Sequence, residues 1–182
     1  MSTWLWIVIV VVAVLIIGAI AASLARRRRT AALQSGFGPE YDRTLERTGD
    51  RGAAEADLRD RMKRHDELDL RPLTAAARSR YTEEWMATQE AFVDDPPMAI
   101  SRADQLIQRV MRDRGYPVDD FEDRAAVVSV DHPQVVERYR RAHDIAEVSG
   151  AGRAETEDLR QAMQDYRALF DELVEADSEV PR

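Results

Sequence analysis

Three histidines, five tyrosines and an abundance of arginine supply the side chains of this chain best suited to chemistry. The histidines are His65, His132 and His143. His132 and His143 stand eleven residues apart, about three helical turns, too far to share one ion on a straight helix. Three residues before the histidines stand Met62, Ser129 and Arg140. The Glu-x-x-His pairs of di-metal bundles are therefore missing, and so is His-Glu-x-x-His. What is left is a set of residues suited to a small-ligand groove: Tyr116, His132, Tyr139 and His143, with Arg114, Arg140 and Arg141 beside them. The same residues serve equally well as caps, turns and packing groups. The groove reading carries a geometric condition, that the four side chains converge on one concavity.

Other chemistries are excluded more firmly. With no cysteine, the chain has no disulfide, thiolate nucleophile, Cys-ligated zinc or iron–sulfur cluster. It contains no Gly-x-x-x-x-Gly-Lys-Ser/Thr loop, no Gly-x-Gly-x-x-Gly and no Gly-x-Ser-x-Gly. Adjacent acids at Glu83-Glu84, Asp94-Asp95 and Asp119-Asp120 belong to solvated faces or helix starts in so acidic a chain. No catalytic residue, metal site or cofactor is expected.

The elements that must position these residues begin with the stretch Trp4–Ala25. It is uncharged, dense in Val, Ile and Leu, and followed at once by Arg26, Arg27, Arg28 and Arg29. Its 22 residues would span roughly 33 Å as a helix, against about 30 Å of hydrocarbon. A transmembrane anchor with a basic stop is expected over 1–29. The N-terminus carries no basic residue and the dense positive charge comes after the apolar run, the reverse of a secretory signal. The positive-inside rule then leaves the N-terminus outside and the rest of the chain cytoplasmic. The alternative is an exported, extracytoplasmic or secreted body, for which Ala21–Ala25 offers a faint cleavage site. Trp4 and Trp6 suit the outer interface. The four arginines suit contact with anionic lipid headgroups as well as setting topology. Gly18 and Ala22 form a small-xxx-small pair through which a weak homodimer is expected.

Beyond the anchor the chain is acidic. It holds 26 basic residues, four of them in the arginine run, against 34 acidic ones. That balance opposes a nucleic-acid partner. The partners expected are the lipid bilayer and an unknown protein.

Hydrophobic spacing predicts an all-α fold. Residues 30–69 are read as a connector with Gly36, Gly38 and Pro39, a brief helix over 40–48, and a polar helix over 53–68. On that polar helix Leu58, Met62 and His65 form a narrow stripe, making it a stalk or a strut laid along the main domain. A compact antiparallel bundle is expected over 70–176 and a frayed tail over 177–182. Its first helix, 74–93, carries Tyr81, Trp85, Gln89 and Phe92 on one face, with Trp85 and Phe92 central to the core. The second, 97–114, carries Ile100, Ala103, Leu106, Ile107, Val110 and Met111, and stops at Gly115. A short helix follows over 119–128. Asp131 is expected to cap the next one, with Gln134 at the capping-box position. Thr156 is expected to cap the last, along which Leu159, Met163, Tyr166, Leu169, Phe170 and Leu173 form a stripe.

Several strings resemble a family of small bacterial, especially actinobacterial, proteins with one membrane segment and no assigned function. They are Gly-Pro-Glu-Tyr-Asp-Arg at 38–43, Arg64–Leu68, Phe92–Pro96, Met111–Pro117, Ser129–Pro133 and Thr156–Arg160. The likeness covers most of the soluble part. It implies a single-pass membrane protein of bacterial type and transfers no catalytic residue. Together these readings point to a membrane-anchored interaction or scaffold module, with a ligand-binding or enzymatic domain as the alternative.

Overall fold

The computed structural model describes residues 3–175, and among them it holds eight helices and no strand. They are α1 (Thr3–Phe37), α2 (Pro39–Thr48), α3 (Arg51–Asp66), α4 (Ala75–Ala91), α5 (Pro96–Arg114), α6 (Phe121–Asp131), α7 (Val136–Gly150) and α8 (Thr156–Glu175). The tail expected to fray, and the side chain of Trp6, lie outside what is described.

The apolar part of α1 is long enough and apolar enough to cross a membrane, with a mean hydropathy of 2.0. No protein covers its large side chains, from Val10 through Ile16 and Ile20 to Leu24. The helix does not stop at the arginine run. The connector expected at 30–38 is instead the last two turns of α1, because Leu33 and Phe37, four apart on one face, are both buried. The break comes at Gly38, whose φ of 50° is open to glycine at little cost, and Pro39 then starts α2.

The main core is built by α4 to α8. Ile100, Leu106, Ile107, Val110 and Met111 of α5 meet Tyr139 and Ala142 of α7 and the whole expected stripe of α8. Trp85 of α4 stacks on Phe170 of α8 with centroids 4.8 Å apart. Phe92 packs at the rim of this core rather than its centre. Thr74, Asp95 and Asp120 each accept a backbone N–H in the first turn of the helix they precede.

Two expected caps are placed otherwise. Asp131 is the last residue of α6, not the start of α7. Helix α6 ends there because Pro133 disfavours helical backbone at His132, which sits at φ −125°, ψ 56°. Helix α7 then begins at Val136 with no side-chain cap. Thr156 lies within α8, and the Asp158 carboxylate accepts the N–H of Glu155 at 3.2 Å, one half of a capping box.

A second, smaller core joins α1 to the body: Leu33, Phe37, Tyr41 and Leu58, with Leu45 and Val130 against it. The polar helix α3 is therefore a strut packed on α6 and α2. Its buried face differs from the expected stripe. Ala54, Glu55, Leu58 and Arg61 face inward, His65 is half-buried, and Met62 remains 41 % exposed.

Candidate functional site

The candidate site is the juncture where α1, α2 and α3 meet the bundle, and charged residues build it. Glu40, in the first turn of α2, is 2 % exposed. One of its oxygens, Oε1, accepts from Arg61 Nη1 of α3 at 2.6 Å and from Arg140 Nη2 of α7 at 3.0 Å. Both guanidinium groups are buried with it. Arg61 also donates to Thr44 Oγ1 at 3.2 Å, Asp57 Oδ2 at 2.7 Å and Ser129 Oγ of α6 at 3.4 Å. Arg140 donates to Glu122 of α6 at 2.7 Å. Three helices therefore meet at one carboxylate, and α6 holds both arginines through Ser129 and Glu122. Burying three charges is tolerable because both Nη groups of each arginine find acceptors, although Arg61 Nε and Arg140 Nε have none among the described residues. The other Glu40 oxygen, Oε2, has no partner among the described residues. A cleft of about 270 Å³ opens beside this cluster, with Arg43, Arg47 and Arg64 at its rim. Those three pair outward with Glu137, Asp57 and Asp123.

Above this cluster α1 is clamped to α3. Thr30 donates its hydroxyl to Glu55 Oε1 at 2.7 Å, and Tyr41 reaches the same oxygen at 3.5 Å. An apolar cleft of about 310 Å³ lies alongside, bounded by Leu33, Phe37, Met62 and Val130.

The four residues singled out for a groove separate into two pairs. Tyr139 and His143 both lie against Phe121, at centroid distances of 5.1 and 3.6 Å. The Tyr139 hydroxyl accepts from Arg124 Nε at 2.7 Å, and burial pushes it well above the ordinary range despite that cation. His143 Nδ1 is 3.7 Å from Asp104, whose carboxylate also accepts from Tyr166 at 2.9 Å. Burial acts to raise the Asp104 pKa, but the nearby His143 ring and the hydrogen bond from Tyr166 outweigh it and hold the carboxyl low. A cleft of about 250 Å³ with Asp104, His143 and Glu147 on its wall opens here.

Tyr116 and His132 belong to the other pair, at the end of α6. The Tyr116 hydroxyl donates to Asp131 Oδ2 at 2.7 Å, and His65 Nε2 approaches the same oxygen at 2.7 Å. His132 Nδ1 lies 3.2 Å from Glu172 of α8. Burial lowers the His132 pKa, against the opposing pull of Asp131 and Glu172. Sequence spacing missed Asp131 as the acceptor for Tyr116 and the neighbour of His65, and it missed the Glu40 cluster altogether. The one available signal was Arg61 at a position where α3 needs an inward residue, three after Leu58. Among the described residues no group of three or more His, Asp or Glu side chains is placed to hold a metal ion.

Comparison with known proteins returned no match to any family model, curated protein or solved structure.

Proposed function

We propose that this chain is a single-pass membrane protein whose helical body acts as an interaction or scaffold module on the cytoplasmic face. The observation that supports it is the unbroken run of α1 from its uncovered apolar stretch into the body's own core at Leu33 and Phe37. A flexible tether would leave the body free to tumble at the surface. A continuous helix clamped by Thr30 and Glu55 instead sets its height and angle relative to the bilayer. That arrangement suits a module presenting a defined face to a neighbour. Arg26, Arg27, Arg28 and Arg29 fix the orientation by the positive-inside rule.

Two measurements test the reading. Fused to the C-terminus, a fluorescent reporter is expected to be bright and a periplasm-dependent phosphatase silent; the reverse pattern places the body outside and overturns the topology. Proximity labelling from the full chain is expected to enrich a defined protein set over an anchor-only control ending at Gln34. An identical set from both would remove the interaction role.

A further inference from the structure

A cavity of about 1100 Å³ lies between α1 and the N-terminal half of α3. It opens where the apolar stretch ends, its first wall residues being Ala22 and Ala25. Arg26, Arg27 and Arg29 of α1 line one side, and Arg51 and Arg59 of α3 line the other. Glu55 is its single carboxylate. That group is already engaged by Thr30 and by Arg59 at 3.3 Å. Arg26, Arg27, Arg29 and Arg51 pair with no carboxylate among the described residues, in a chain whose formal net charge is −8. Acids are plentiful elsewhere in the body, where Arg43, Arg47, Arg64 and Arg109 each hold one. A groove with four guanidinium groups that pair with no carboxylate, and a fifth shared with Glu55, is built for an anion, and the planar fork of arginine matches phosphate oxygens two at a time.

Position selects the kind of anion. The step from Ala25 to Arg29 rises about 6 Å along the helix, which is the depth of the headgroup layer outside the hydrocarbon. Below it Ile17, Ile20 and Leu24 are uncovered, so acyl chains have an apolar helix to lie against. We propose that the groove between α1 and α3 holds the phosphate of an anionic phospholipid, with Arg26, Arg27 and Arg29 on the membrane side and Arg51 and Arg59 completing the site from the body. The assignment rests on the membrane reading above and goes beyond it: a general basic stop needs only the arginine run, whereas this site needs α3. The bound lipid would then join the strut to the anchor at the surface, adding a second clamp beside Thr30 and Glu55.

The full chain is reconstituted in phosphatidylcholine nanodiscs doped with phosphatidylglycerol, then extracted, and the retained lipid is counted by native mass spectrometry. The wild type is expected to keep one phosphatidylglycerol in preference to phosphatidylcholine. Arg51→Gln/Arg59→Gln is expected to lower that retention by about 10- to 30-fold. Arg51→Lys/Arg59→Lys, which keeps charge but loses the fork, is expected to fall between. Both α3 positions are exposed, and helicity by circular dichroism confirms that the variants fold. Equal retention by wild type and the glutamine variant overturns the site. So does displacement of the lipid by millimolar inorganic phosphate, which would assign a soluble phosphate ligand. Carbonate extraction of the same samples separates the two levels. A wild type that stays in the membrane yet keeps no phosphatidylglycerol refutes the groove alone, whereas a chain released by carbonate refutes the anchor and the groove with it.

Discussion

At His132 burial outweighs the nearest charges, the reverse of the balance at Asp104. Two carboxylates flank the histidine, yet desolvation wins and its pKa is lowered. The folded state therefore holds its proton less tightly than the unfolded chain does, whose histidines titrate near about 6.5. Stability rises with pH wherever the unfolded state binds more protons. This side chain thus makes the fold less stable as pH falls through about 6.5, and the loss levels off below its folded value. Thermal melts of the full chain at pH 7.5 and 5.5 should show a drop that His132→Asn reduces. An unchanged drop in the variant would mean that other groups carry the pH dependence. Asp131, next to it, reads from the sequence as the N-cap of the following helix, whereas it is the last residue of α6. Its role as acceptor for Tyr116 and neighbour of His65 depends on contacts 15 and 66 residues away in sequence.

At the scale of elements, spacing placed six of the eight helices close to their observed bounds, because α5 and α8 carry apolar stripes with period 3.6 and α5 stops at Gly115. The junction of α1 was misread for a physical reason. Gly36 and Gly38 resemble a loop, but Gly36 is helical, in a place where an added Cβ would meet nothing within 4 Å, and Gly38 with its positive φ makes the turn. Helix α1 is held to the body by Phe37, which is 3 % exposed in the small core. Phe37→Ala should cost about 3–5 kcal/mol and free α1 from α3. Since the chain has no cysteine, spin labels at introduced cysteines replacing Gln34 and Arg59 report only that pair. Their distance distribution should be narrow in the wild type and broad with Phe37→Ala. A distribution that stays narrow would show the clamp at Thr30 and Glu55 to be sufficient.

Across the whole molecule, Glu40 joins what the sequence divides. A domain boundary near residue 70 separates a run poor in large apolar residues from a rich one. The protein bridges it with Arg61 and Arg140 on one buried oxygen. Glu40→Gln leaves two buried guanidinium groups without their shared anion, which should cost about 3–5 kcal/mol. The thermal midpoint of the body should fall by roughly 10 °C. The first helices and the bundle should still unfold together if the smaller core holds, and in two steps if Glu40 is the main tie. A loss below about 1 kcal/mol would show that water reaches the cluster. The arrangement also explains the acidic balance: carboxylates of the body neutralise its own arginines, and the groove at the end of the apolar stretch is left positive.

Periodicity and composition determined by themselves that the chain is helical, that it opens on a helix apolar enough to cross a membrane, and which stripes face the main core. These properties are local: each helix states its own inward face through residues three and four apart. Tertiary structure alone decided that Arg61, Glu40 and Arg140 lie inside, that the apolar helix α1 runs into the body, and that Arg51 and Arg59 stand opposite Arg26 and Arg29. A buried charge reads like any surface charge until its partner is known, and the partner here comes from another helix, up to 100 residues away.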